Sequence, residues 1–126
     1  MDFDLHLPEE EERLRKAFRT KVPGLAARFP GLGTALEVAD LSATGFAVMD
    51  PARRFKEKDT LDVELRIKDK LFLGGAKAMV MRTLDSGIVG LNFVDLERQK
   101  QIKLDKLVLE VQKRLIALRK KKREQG

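Results

Sequence analysis

The chain is expected to be mostly β with helices: a six-stranded antiparallel β-barrel, with a short N-terminal helix or arm and a long C-terminal α-helix. Three observations predict this. Between residues 24 and 93, short runs rich in apolar residues are separated by tight turns of Pro, Gly, Asp and Ser. Short strands joined by tight connections favour a small barrel over an open sheet. From Asp95 onward the apolar period becomes helical, and neither Pro nor Gly interrupts it before Gly126.

The elements follow in order. Glu9 to Arg19 reads as a short helix, with Pro8 at its first position and Glu9 to Glu12 at the positive end of its dipole. Pro23-Gly24 ends it. Residues 24–29 form a strand that closes on a Pro30-Gly31 turn. Thr34 to Leu41 alternates in part, as a half-buried strand does. Ser42 to Gly45 is a turn, and Phe46 to Met49 continues as a strand. Residues 50–59 form a polar loop. Thr60 to Ile67 places Leu61, Val63, Leu65 and Ile67 on one face. Lys70 to Leu84 is a long strand with a bulge at Gly74-Gly75. Asp85-Ser86-Gly87 turns it into Ile88 to Phe93.

Asp95 is a candidate cap for the last helix. Within it Leu104, Val108, Val111, Leu115 and Leu118 are spaced 4-3-4-3, the period of a coiled-coil seam. About 28 helical residues span roughly 42 Å, more than the width of a small barrel. The first half can pack on the barrel, and the second half must meet a partner or water. The chain thus divides into an arm at 1–22, a barrel at 23–95 and a basic helix at 96–126, within one domain.

Composition narrows the function. The chain of 126 residues contains no Cys and one His, which excludes a disulfide framework, a Cys-type zinc site and a thiol nucleophile. The formal charge is +6. From Glu97 onward eleven bases face four acids, a net +7, which leaves the rest of the chain at −1. The excess charge therefore belongs to the helix and its Arg119 to Arg123 run. No leader pattern or membrane-length apolar run is visible, so a cytoplasmic protein is expected.

Two short patterns carry chemistry. Arg15-Lys16-Ala17-Phe18-Arg19 is an RxxxR, and Asp40-Leu41-Ser42-Ala43-Thr44-Gly45 is a DxSxxG at a strand-to-strand turn. Taken singly, the first reads as a solvated helix face and the second as an ordinary turn. Together, in this order, and with Val89-Gly90-Leu91-Asn92-Phe93 leading into a helix, they are more specific. Over roughly Arg13 to Leu107 the chain resembles the PilZ domain family, the bacterial receptors for cyclic di-GMP.

The resemblance implies a six-stranded PilZ-type barrel that binds cyclic di-GMP, changes conformation and signals to a downstream protein. It implies no catalysis and no cofactor besides that ligand. Arg15 and Arg19 match the family's two arginines. A guanidinium can bond phosphate in a bidentate manner, bond guanine O6 and N7, or stack on the base. Asp40 and Ser42 match the base-contacting positions, and a carboxylate suits the N1 and N2 donors of guanine. Gly45 would hold the turn and let the ligand lie close. Leu14 precedes the RxxxR where an additional Arg accompanies a ligand dimer in the family; Leu there tilts toward one ligand per site, but the neighbouring Arg13 leaves two open.

Other functional classes also fit parts of the chain. The main alternative is a PilZ-like protein-interaction scaffold without nucleotide. A basic-helix protein acting on nucleic acid or an anionic membrane is a third. A homodimer through Leu104, Val108, Val111, Leu115 and Leu118 is expected to be compatible with the first two. Ser42 with His6 does not make a hydrolase, because no strand–GxSxG–helix context surrounds it.

Overall fold

The structure is a computed structural model. It describes the backbone of residues 19–125 and the side chains of residues 19–118. The expected helix at Glu9 to Arg19 therefore lies outside the described residues except for its last position.

Seven strands and one long helix are present among the described residues: β1 (Arg19–Thr20), β2 (Leu25–Phe29), β3 (Thr34–Ser42), β4 (Gly45–Met49), β5 (Thr60–Ile67), β6 (Lys70–Thr83), β7 (Ile88–Val94) and α1 (Arg98–Gln125). The strands run in the order β1-β3-β2-β5-β6-β7-β4, and β4 pairs back onto β3. Six strands therefore close into an antiparallel barrel, and β1 is an extra strand laid against β3. Closure removes the free edges that an open sheet would expose.

Each strand is held by its inward side chains. Phe29, Phe46, Leu25, Leu41, Leu65 and Leu91 are fully buried. The rings of Phe29 and Phe55 meet edge to face, with centroids 5.0 Å apart. The predicted bulge occurs: Val63 pairs with Ala76 and Leu65 with Leu73, so β6 carries one extra residue at Gly74-Gly75. Gly75 takes a left-handed φ of 62° there. The Asp85-Ser86-Gly87 turn also forms, with Leu84 N–H bonded to Ile88 O at 2.9 Å.

Two local expectations are corrected. Arg19, expected at the end of a helix, stands in β1, opposite Ser42, with Thr20 opposite Leu41. Burial of Thr20 and Val22 draws this segment onto the barrel, and pairing with β3 makes it extended. Asp95 does not cap α1. It adopts a left-handed φ of 48°, a corner between β7 and the helix. Glu97, directly before the helix, supplies the carbonyl that accepts from Gln101 N–H at 2.9 Å.

α1 behaves as its two halves suggested. Leu104 and Val108 are buried against the barrel, and Val111 is half-buried. Farther along, Leu115 and Leu118 are exposed. Leu104 and Val108 are therefore occupied within the chain and unavailable to a second subunit. Only the outer part of the expected dimer seam stays open.

Candidate functional site

The DxSxxG segment spans the end of β3, a two-residue turn and the start of β4. Its geometry begins with an irregularity in β3. Val38 pairs with Val48 but Asp40 pairs with Ala47, so one extra residue enters β3 between them. Up to this point the inward residues are Leu36 and Val38; beyond it the inward residue is Leu41. A bulge re-aims the side chains that follow it. It leaves Asp40 facing outward, partly exposed, at the mouth of the turn.

Ser42 is fully buried, and its hydroxyl holds the turn together. The Oγ accepts from Thr44 N–H at 3.3 Å and from Gly45 N–H at 3.2 Å, and donates to Gly45 O at 3.3 Å. Gly45 is required by the approach of β7. A Cβ at this position would lie 2.1 Å from Leu91 O and 2.9 Å from Asn92 Cα, so no other residue fits between β4 and β7. Its φ is not left-handed, unlike that of the turn glycines Gly33 and Gly87. The reason given for Gly45 from sequence, ligand approach, is thus joined by a stronger one from strand packing.

The two motifs meet. Arg19, in β1, donates from Nε to Asp40 Oδ1 at 2.8 Å, and a terminal guanidinium nitrogen bonds the same oxygen. Both side chains remain accessible, at 44% and 37% exposure. The pairing of Arg19 with Ser42 sets Arg19 diagonally across from Asp40, which is within reach for a long side chain. Arg15, the first arginine of the RxxxR, lies outside the described residues. Of the five expected site residues, Arg19, Asp40, Ser42 and Gly45 are thus grouped on one turn and its neighbouring strand.

Sequence reasoning missed two further residues. Gln101, in the first turns of α1, donates from Nε2 to the carbonyl of Ala43 at 2.8 Å and to Asp105 Oδ1 at 2.9 Å. This ties the DxSxxG turn to the helix. Nothing in a lone Gln signals a contact 58 residues away. The second is Asp50, buried at the opposite end of β4. Its carboxylate accepts from Arg54 N–H at 3.0 Å, from Nε at 3.3 Å and from a terminal nitrogen at 2.9 Å. The Arg54 guanidinium holds the Asp50 carboxyl below the usual carboxylate range, and Asp50 raises Arg54 in turn. Asp50-Pro51 opens a turn closed by Arg53 N–H on Asp50 O at 3.1 Å, the one local signal that sequence offered.

Away from the turn, a cavity of about 280 Å³ lies between β6, Asp95 and Lys100. Another, about 80 Å³, lies beside Asp50 and Phe55. Neither is lined by a motif residue. Among the described residues no group of three or more His, Cys, Asp or Glu could hold a metal ion.

Comparison with protein families matches the PilZ domain over residues 13–110. The chain belongs to the PilZ family. Solved structures agree on the fold of this PilZ protein. The MotI/DgrA inhibitor of motility from Bacillus subtilis matches with a TM-score of 0.63 and 18% identity, covering 75% of this chain and 48% of that one. MrkH of K. pneumonia, solved as a c-di-GMP complex, matches at 0.61 and 18%, covering 81% of this chain and 53% of that one. The PilZ domain of CeSA from a cellulose-synthesizing bacterium matches at 0.54 and 17%, covering 76% and 99%. The chain thus spans about half the length of the first two proteins. Comparison with curated proteins returns no significant match.

Proposed function

We propose that this PilZ protein is a cyclic di-GMP receptor whose ligand lies over β1 and the DxSxxG turn. The observation that carries the reading is the meeting of Arg19 and Asp40. Two residues from separate motifs, 21 positions apart, share one accessible spot on the barrel. There a guanidinium offers phosphate and guanine contacts, and a carboxylate offers an acceptor for guanine N1 and N2. Arg15 would add a second guanidinium from the preceding arm. Ser42 and Gly45 would shape the turn beneath the ligand. The Arg19–Asp40 pair is exposed, so replacing it with ligand contacts costs little, about 0–1 kcal/mol.

On binding, Arg15 would be drawn toward the ligand beside Arg19, which β1 already holds on the barrel. The Gln101 bond to Ala43 gives a route from the turn to α1. The exposed Leu115 and Leu118 beyond the barrel are where we place the downstream protein or a second subunit.

Calorimetric titration with cyclic di-GMP tests this. Binding should occur, and Arg15→Ala, Arg19→Ala and Asp40→Ala should each weaken it by tenfold or more, about 1.4 kcal/mol. No heat from a folded sample at tens of micromolar ligand would leave the scaffold reading in its place.

A further inference from the structure

The outer face of α1 carries a line of side chains that the barrel does not use. Residues three or four apart on a helix share a face. At such spacing Arg98, Ile102, Lys106, Leu109, Lys113 and Ile116 form one ridge along the helix. All six are exposed, and the apolar members stand 46%, 49% and 48% open. Leu104 and Val108, which seat the helix on the barrel, lie roughly 140° around the axis from this ridge, at 3.6 residues per turn. The ridge is about 27 Å long at 1.5 Å per residue. Base and apolar residue alternate along it, and no acid falls on it. The next position at this spacing is Lys120, inside the Arg119 to Arg123 run.

Single exposed aliphatics need no explanation, but a straight, convex, alternating line does. A helix that lies in a membrane interface needs this chemistry: aliphatic side chains to enter below the headgroups and bases on flexible stems to reach the phosphates. We propose that this ridge docks α1 on an anionic lipid surface. Ile102, Leu109 and Ile116 would enter the acyl boundary, and Arg98, Lys106 and Lys113 would contact lipid phosphates. No described helix is long and apolar enough to cross a membrane, and the ridge requires only that α1 lie on one. A second copy fits poorly, because it would bring an equally basic ridge against this one. The seam residues Leu115 and Leu118 fall on another side of the helix, so docking leaves them free.

The test is co-sedimentation of the full chain with vesicles of phosphatidylcholine alone or with phosphatidylglycerol added. The protein should pellet with the anionic vesicles and not with the neutral ones. Lys106→Gln and Lys113→Gln should each weaken binding about fivefold. Lys70→Gln with Arg114→Gln removes equal charge off the ridge and should cost much less than the ridge pair. Ile102→Gln, Leu109→Gln and Ile116→Gln together should abolish pelleting while the thermal melt and cyclic di-GMP titration stay as in the wild type. The proposal is overturned by any of these results: indifference to phosphatidylglycerol, equal losses from the two charge pairs, full pelleting of the triple variant, or tighter retention on duplex DNA or polyglutamate than on anionic vesicles.

Discussion

Gly45→Ala separates two reasons for a glycine at the end of the DxSxxG motif. If the reason is strand packing, the methyl must displace the backbone of β7. The added Cβ would sit 2.1 Å from Leu91 O, where real contacts are not below 3.0 Å, so β7 must retreat by about 1 Å. The obstacle is backbone, not a flexible side chain. Gly45 is also the first of five β4 residues paired with β7, from Gly45 opposite Asn92 to Met49 opposite Ile88. Retreat would strain the neighbouring Phe93 N–H to Thr44 O bond as well, now 2.9 Å. Overpacking of this kind costs roughly 1–3 kcal/mol, and each ladder hydrogen bond lost adds about 1 kcal/mol. With one such bond lost, a total of about 2–4 kcal/mol lowers the melting temperature by roughly 8–16 °C for a chain of this size. The assay is thermal unfolding followed by circular dichroism, with Gly31→Ala as control. A Cβ at Gly31 meets nothing within 4 Å, so its change should stay within about 0.5 kcal/mol. If Gly45→Ala melts within a degree or two of the wild type yet loses cyclic di-GMP, the packing argument is refuted and ligand approach explains the glycine.

Other outcomes follow from the same geometry. Ser42→Ala leaves the part-buried Thr44 N–H and the buried Gly45 N–H without their acceptor and should destabilise by about 1–3 kcal/mol in chemical denaturation. Asp40→Ala breaks only an exposed pair and should change stability by less than about 1 kcal/mol while weakening ligand binding; a large loss of stability would contradict the accessible placement of the pair. The Asp50 carboxyl is held below its unfolded value, so its stabilisation is present above the ordinary carboxylate pKa and is lost as pH falls through the depressed folded value. Asp50→Asn should therefore melt lower near neutrality and lose less than the wild type on acidification; parallel pH profiles would show that the Arg54 pair contributes nothing.

The strands with regular periodicity were legible in the sequence. Thr60–Ile67 appears with the predicted bounds, and the hairpin of β6 and β7 turns where Asp85-Ser86-Gly87 said it would. Irregular positions were harder to read, for physical reasons. The alternation of β3 fails at Asp40 because a bulge reverses which parity faces inward. β1 is too short to have a period, and its extended form comes from pairing with β3. The 50–59 loop reads as polar, yet it is anchored by the buried Phe55 and Asp50, single inward residues that no pattern announces. The two motifs named residues that meet in space, Arg19 with Asp40 and Ser42 with Gly45. They could not tell that Ser42 faces into the turn while Asp40 faces out.

That division of the motif suggests how the site could act beyond the ligand. Ser42 and Gly45 fix the turn from inside, Asp40 and Arg19 present its surface, and Gln101 holds the Ala43 carbonyl from the helix. Any shift of the turn under a ligand must either carry α1 with it or break that bond. Gln101→Ala distinguishes this link from mere support. One hydrogen bond is worth about 1 kcal/mol, so cyclic di-GMP affinity should change by no more than about fivefold. Hydrogen exchange in residues 98–111 should respond to the ligand in the wild type and much less in the variant. An equal response in both would mean that the signal leaves the barrel by another path, with Gln101 serving only to seat the helix.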